Sequence, residues 1–141
     1  MKASEIKSPH TPVQAPAAKV YAFLSDFNNF SELMPEQVTN WKSTADSCSF
    51  TIQGMGDFGL KISEKFPDTR IIIVPDIGKP IPFTFNLICD IKPLTEASSE
   101  ALITIESEMP PMIAMMASRP LQNLVNILAM KLQDHFAGNP G

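Results

Sequence analysis

Four methionines in the last hydrophobic stretch of the chain are spaced like ligands of a soft metal ion. They run from Met109 through Met112 and Met115 to Met116, and thioether sulfur suits Cu(I). On a helix, Met115 and Met116 each align with Met112 but diverge from one another, so the sulfurs spread over more than one face. No cysteine or histidine is near in sequence. We therefore predict no metal site and leave open whether these side chains pack in a core or line an adaptable cavity.

The histidines, cysteines, serines and glycines do not form a recognisable catalytic or metal-binding pattern. His10 lies in a proline-flanked segment. His135 lies in the last turn of a predicted helix, where the helix dipole would stabilise an imidazolium. Cys48 and Cys89 lack metal-ligand spacing, so we expect buried thiols. There is no G-x-S-x-G motif, and the glycines of G-M-G-D-F-G lie between two predicted strands, which is typical of a hairpin. We predict no cofactor.

Glu64 is the one candidate for acid–base chemistry. If the strand L-K-I-S-E-K-F alternates strictly, Glu64 shares a face with Leu60, Ile62 and Phe66. A carboxylate among apolar side chains would have a raised pKa and could act as an acid, a base or a hydrogen-bond partner. The alternative is that the strand bulges here, or that Glu64 lies at a rim and reaches water.

Length, composition and charge favour one globular domain over residues 1–141. The chain has 141 residues, of which 44% are hydrophobic, and a net charge of −4, which argues against binding of nucleic acid. The start lacks the apolar stretch of a signal peptide, and no apolar run reaches the roughly 18 residues that span a bilayer. We expect a cytoplasmic protein without integral membrane association.

Hydrophobic periodicity predicts one strand, two short helices, six strands and a long helix. The first strand covers residues 3–8, and the helices follow Pro16 and Asn28. The six strands of an antiparallel meander are 38–43, 49–54, 58–66, 69–75, 82–94 and 100–109. After Pro110 and Pro111 the period becomes helical, with a stripe of Leu121, Leu124, Leu128, Leu132 and Phe136. These elements predict an α+β fold in which a seven-stranded antiparallel sheet wraps around a long C-terminal helix.

Three segments of the sequence resemble the START/polyketide-cyclase/Bet v 1-like (SRPBCC) superfamily, whose fold is called the helix grip. They are VYAFLSDFNNFSELMPEQVTNW, FGLKISEKFP and MIAMMASRPLQNLVNILAMKL. The resemblance implies a hollow between the concave face of the sheet and the long helix. In that superfamily such hollows hold lipids, sterols, polyketides or plant hormones, and some members are cyclases, dehydratases or co-chaperones.

From the pattern and the resemblance together, we expect a small hydrophobic molecule to bind between the sheet and the C-terminal helix without catalysis. Trp41 and Tyr21 could line the mouth of the site or pack. One alternative is a polyketide cyclase or dehydratase with Glu64 as general base. Another is an interaction module, such as a homodimer, that uses the methionine-rich segment. The residues that we expect at the binding site are Glu64, Phe83, Phe85, Leu87, Met109, Met112, Met116 and Leu124.

Overall fold

A computed structural model describes residues 4–54, 56–76, 85–107 and 111–137. The strands within these residues are β1 (Ser4–Lys7), β2 (Thr11–Val13), β3 (Val38–Ser43), β4 (Ser47–Ile52), β5 (Gly56–Phe66), β6 (Arg70–Pro75), β7 (Phe85–Pro93) and β8 (Ser99–Ser107). The helices are α1 (Ala17–Leu24), α2 (Phe27–Phe30), a 3-10 turn (Ser31–Leu33) and α3 (Pro111–Ala137).

The strands form one antiparallel sheet in the order β1-β8-β7-β6-β5-β4-β3, and β2 also pairs with β8. The sequence predicts that the first strand ends at residue 8, but the chain returns to the sheet edge at Thr11. Ser8 bridges the interruption, because its backbone N–H donates to Ile103 O at 2.9 Å and its hydroxyl accepts from Ile103 N at 3.0 Å. Pro12 is tolerated in β2 because this strand pairs on one side only. The predicted helix-grip order is confirmed, with this short strand added.

The concave face of the sheet carries the apolar side chains that alternation predicts. In β7, Phe85, Leu87, Cys89 and Ile91 are buried, and in β8, Ile103 and Ile105 are buried on the same face. Phe83 and Met109, which were predicted to continue these rows, lie outside the described residues.

Helix α3 contacts β1, β2, β8 and the 3-10 turn. Its buried stripe is Ala117, Leu121, Leu124, Val125, Leu128, Ala129 and Leu132, as the leucine spacing predicts, and Pro120 lies inside the helix without ending it. Side-chain bonds hold the helix at both edges, with Gln122 Nε2 donating to Lys7 O at 2.8 Å and Lys131 Nζ donating to Met34 O at 3.1 Å. Among the described residues, no helix is both long and apolar enough to cross a membrane.

Helix α2 is short but well anchored, and it carries two buried phenylalanines. The Asp26 side chain caps it by accepting a hydrogen bond from Asn28 N at 2.9 Å, so the cap is the aspartate and not the asparagine pair. Ser43 Oγ donates to Asn28 Oδ1 at 2.8 Å, which joins α2 to β3. These bonds fix Phe27 and Phe30 over the sheet.

Candidate functional site

A small interior hollow lies between the concave face of the sheet and the helices. Its volume is about 20 Å³, roughly the space of one water molecule. The sheet contributes Trp41, Phe50, Leu60, Phe85 and Leu87 to its lining, and the helical side contributes Phe27, Phe30, Met34, Leu124 and Leu128. Every one of these side chains is apolar or aromatic, and the indole N–H of Trp41 is the one side-chain hydrogen-bond donor that they carry.

Four aromatic rings form a row along the sheet side of the hollow. Trp41 stacks on Phe50 with ring centroids 5.5 Å apart, and Phe50 stacks on its cross-strand partner Phe58 at 5.9 Å. Phe58 is tilted against Phe85 at 5.6 Å. We call these four residues the aromatic row. On the helical side, Phe27 and Phe30 meet edge to face at 5.1 Å, so a group in the hollow would meet aromatic surface from both sides.

A bulge in β3 turns Trp41 toward the hollow. Thr39 pairs with Thr51 but Lys42 pairs with Ser49, so β3 has one residue more than β4 over this stretch. Val38 packs against the core, so strict alternation from Val38 would place Trp41 on the outer face of the sheet. The extra residue shifts the alternation by one position and turns Trp41 to the concave face. Within this stretch the backbone of Asn40 adopts a left-handed conformation, with φ of 56°. Asparagine tolerates this conformation better than most residues do.

The outer face holds the bulge in place. Asn40 Nδ2 donates to Thr51 Oγ1 at 3.3 Å, and Thr51 Oγ1 donates to Asp57 Oδ1 at 2.6 Å. Asn40 therefore points away from the hollow while its neighbour Trp41 points into it.

Two buried polar atoms on the concave side have no hydrogen-bond partner among the described residues. They are the indole Nε1 of Trp41 and the hydroxyl Oγ of Ser107. Ser107 pairs in register with Phe85, so the two atoms lie at opposite ends of the aromatic row. An unsatisfied buried polar group costs about 1–3 kcal/mol, and such groups are uncommon in folded proteins. Both atoms are therefore candidates for contact with a ligand.

The prediction that Glu64 faces the apolar side of the sheet is wrong. Ile62 pairs with Ile73, but Glu64 pairs with Ile72, so β5 has one extra residue between these two pairs. The bulge reverses the parity of the strand and puts Glu64 on the outer face, where its side chain is exposed. This is the alternative that the sequence left open.

The prediction that Met112 and Met116 line the interior is also wrong. Met112, Met115 and Met116 are 77%, 82% and 73% exposed. The reason is helical phase, because the buried stripe through Ala117 continues back to Ile113 and not to the methionines. Phe85, Leu87 and Leu124 do line the hollow, and Phe83 and Met109 lie outside the described residues.

Sequence reasoning missed several side chains that line the hollow. Phe27, Phe30, Phe50, Leu60 and Leu128 line the hollow but were not predicted as members of a site. Alternation in β4 identifies Phe50 as inward-facing, and the i, i+4 stripe of α3 places Leu128 beside Leu124. The pattern does not show which of many inward-facing residues surround a gap.

Both cysteines are buried, as expected, and their thiols are held in the protonated form. Burial raises the pKa of Cys48 to about 12, partly opposed by a hydrogen bond from the backbone of Leu60. Burial also raises the pKa of Cys89 to about 12, and the negative charge of Asp90 adds to the shift. Because thiolate is the reactive form, these thiols are unsuited to nucleophilic chemistry.

The outer surface has wider but open grooves. One of about 280 Å³ is lined by residues 42–44 and 47–49 and by Asp76, and one of about 330 Å³ is lined by Phe66, Thr69, Arg70 and Asp90. In the second groove, Arg70 Nε bonds Asp90 Oδ1 at 2.6 Å. Within the described ranges, no three His, Cys, Asp or Glu side chains are grouped as metal ligands. We therefore regard the interior hollow as the better candidate site.

No family model matches the sequence, and no curated protein matches it either. Solved structures do match the fold. A START superfamily protein from Mycobacterium smegmatis is 15% identical, with a TM-score of 0.68 over 98% of this chain and 99% of that one. A protein from Thermus thermophilus is 13% identical, with a TM-score of 0.70 over 98% of this chain and 100% of that one.

A norcoclaurine synthase point mutant from Thalictrum flavum, solved in complex with a transition state analogue, is also similar. It is 11% identical, with a TM-score of 0.73 over 99% of this chain and 97% of that one. At such identities the likeness concerns the backbone and not the residues of a site. The chain therefore has the helix-grip fold of the START and Bet v 1-like proteins that its sequence resembles.

Proposed function

We propose that this protein binds a small hydrophobic molecule between the concave face of the sheet and the helices. The observation that carries the proposal is the hollow itself, which is lined by apolar and aromatic side chains and contains a buried indole N–H without an acceptor among the described residues. Ligand sites are commonly apolar with a few polar groups that fix orientation. Phe85, Leu87 and Leu124 are the predicted residues that we retain as ligand contacts, and Phe83 and Met109 stay as predictions.

The size of the hollow sets a condition on binding. At about 20 Å³ it is far below the roughly 300–1,000 Å³ of a typical ligand site, so the lining must separate to admit a ligand. Ladders of backbone hydrogen bonds hold the sheet side, whereas the helical side meets the hollow through side chains. We expect the helical side to yield, with Met34 moving first because it is partly exposed and unbranched.

Native mass spectrometry of the purified protein, followed by extraction and identification of bound molecules, tests this proposal. Leu124→Phe adds volume to the lining of the hollow, and Met116→Phe is the matched control on the exposed face of the same helix. We expect a bound hydrophobic molecule with the wild type and the control, and a reduced amount with Leu124→Phe. Equal loading of both variants would place the ligand elsewhere. If no molecule is bound and added hydrophobic probes also fail to bind, the proposal is wrong.

The alternative of a cyclase or dehydratase loses its predicted base. Glu64 lies on the outer face of the sheet, and the hollow is on the concave face. No titratable side chain is among the described residues that line the hollow. A general base must come within hydrogen-bond reach of the proton that it removes, so the geometry favours binding over catalysis.

A second candidate function is self-association through α3. The observation that favours it is the exposure of Met112, Met115 and Met116 on the first turns of the helix, because flexible exposed methionines are common at binding surfaces. Sedimentation velocity over a range of concentrations tests it. We expect Met112→Gln/Met116→Gln to weaken any dimer, whereas Met130→Gln, also exposed on α3, does not. A monomer at every concentration would rule this function out.

A further inference from the structure

We infer that the hollow selects flat aromatic molecules that carry a hydrogen-bond acceptor, and that the indole N–H of Trp41 donates to that acceptor. The inference rests on the proposed function and adds to it the chemical class of the ligand and the residue that recognises it. Four observations carry it: the bulge, the aromatic row, the rings of α2 and the unsatisfied indole nitrogen.

Trp41 faces inward although its N–H would be satisfied on the outer face. Strict alternation would have placed this indole on the outer face, in contact with water, where its N–H is satisfied at no cost. The β3 bulge and the left-handed Asn40 instead turn it toward the hollow, where Nε1 has no acceptor among the described residues. Backbone strain and an unpaired donor together oppose this arrangement. A ligand that supplies the acceptor removes the second of these penalties.

The rings around the hollow favour a flat ligand. The faces of Trp41 and Phe50 are nearly parallel, with an angle of 21° between them, and the rings of α2 approach the same hollow from the helical side. A planar conjugated molecule between these groups gains stacking and edge-to-face contacts that a saturated chain does not. The described residues of the lining offer no charged partner, so the acceptor is a neutral oxygen such as a ketone or ether.

A site with a buried donor favours a ligand with an acceptor over a hydrocarbon of the same shape, because the hydrocarbon leaves the donor unpaired. 2-Acetylnaphthalene and 2-isopropenylnaphthalene are such a pair, since they differ by a carbonyl oxygen in place of a methylene group. The ratio of their association constants therefore reports the hydrogen bond directly.

The experiment measures this ratio by isothermal titration for the wild type, Trp41→Phe and Ser107→Ala. Trp41→Phe keeps an aromatic ring and removes the N–H, and Ser107→Ala removes the other unsatisfied polar atom at the far end of the aromatic row. We expect Trp41→Phe to lower the ratio about tenfold, the value of one well-formed hydrogen bond, and Ser107→Ala to leave it within about twofold. We expect 2-dodecanone, which has the carbonyl without the rings, to bind the wild type at least tenfold more weakly than the aromatic ketone.

A second measurement does not depend on the folding of any variant. The chain has one tryptophan, so a nitrogen–proton correlation spectrum contains a single indole N–H resonance. Both naphthalenes shift this resonance through the ring current of their rings, and we expect the ketone to place it further downfield than the hydrocarbon does, because only the ketone accepts a hydrogen bond from the indole.

The outcomes separate the inference from the proposed function. If both naphthalenes bind but the ratio is unchanged in Trp41→Phe, and the indole resonance responds equally to the two, the protein binds hydrophobic ligands and the role of Trp41 is wrong. If Ser107→Ala lowers the ratio instead, the recognising group is the hydroxyl and the inference is wrong. If 2-dodecanone binds as tightly as the aromatic ketone, the aromatic preference is wrong. If neither naphthalene binds the wild type, the inference is wrong, and native mass spectrometry then decides the proposed function separately.

Discussion

The bulges in β3 and β5 have opposite effects on the side chains that follow them. In β3 the extra residue turns Trp41 from the outer face to the concave face, and in β5 it turns Glu64 from the concave face to the outer face. Each bulge thus reverses the assignment that strict alternation makes. The concave face thus gains an aromatic hydrogen-bond donor and loses a carboxylate by the same backbone device, a single extra residue in the ladder.

The largest expected effect on stability comes from Trp41, which the β3 bulge turns inward. Trp41→Ala removes the end of the aromatic row and should lower the free energy of unfolding by about 3 kcal/mol, because a large packed ring leaves a cavity. Trp41→Phe keeps the stack on Phe50 and should cost less than half as much. Urea titration monitored by circular dichroism measures both. A loss below about 1 kcal/mol for Trp41→Ala would show that the ring is not packed inward.

Cys48 sharpens the comparison because β4 pairs with β5 without a register shift, and its thiol faces inward as alternation predicts. The pKa of Cys48 is raised from 9.0 to about 12, so the unfolded state loses its proton first as the pH rises. The stabilising contribution is complete below pH 9 and is lost as the pH rises from 9 toward 12. By about pH 10.5 we expect a loss of roughly 2 kcal/mol from this thiol.

Urea titrations between pH 8 and 10.5 measure this dependence, with Cys48→Ala as the control. The variant lacks the thiol, so its stability should fall less steeply with pH than that of the wild type. Parallel curves for the two proteins would mean that the thiol of Cys48 reaches water.

A substitution at Asn40 can strain the β3 bulge without changing a side chain that lines the hollow. Asn40→Val places a β-branched residue at a φ of 56° and should lower the free energy of unfolding by about 1–2 kcal/mol. Asn40→Gly removes the same amide and accepts this φ freely, so it should cost less than Asn40→Val. The emission maximum of Trp41 checks whether the bulge persists. If both variants behave alike, the left-handed conformation does not control the bulge.

The smallest effect on stability is expected for Glu64, which the β5 bulge turns outward. Glu64→Ala removes an exposed carboxylate and should change the free energy of unfolding by less than about 0.5 kcal/mol. It should also leave ligand binding unchanged, because Glu64 and the hollow lie on opposite faces of the sheet. Urea titration and native mass spectrometry test the two expectations. Loss of bound ligand in this variant would reinstate Glu64 as a site residue.

The two ends of α3 differ in how well the sequence predicts their orientation. The leucine stripe is buried as predicted, but Met112 and Met116, which were predicted at the binding site, are exposed. Stepping back from Leu121 by three and four residues reaches Ala117, Ile113 and Ala114 and passes between the methionines. The exposure of Met112 and Met116 therefore follows from periodicity alone once the helix is known to be continuous through Pro120.

The bulges in β3 and β5 could not have been predicted from periodicity. A bulge is a mismatch between two strands, so it depends on the residues of the partner as much as on those of the bulged strand. Nothing in V-T-N-W-K-S shows that Thr39 and Lys42 pair two residues apart on β4. Likewise, the pairing of β5 with β6 decides the orientation of Glu64.

The sequence by itself determined the order of elements apart from β2, the apolar faces of β7 and β8 and the stripe of α3, because these follow from local periods of two and 3.6 residues. The burial of Cys89 followed from the same alternation, whereas Cys48 lies before the strand 49–54 that the sequence predicts. Only the tertiary structure decided that Trp41 points inward, that Glu64 points outward and that the hollow is as small as about 20 Å³. These features arise from strand register and from packing between distant segments, and neither is a local property of the chain.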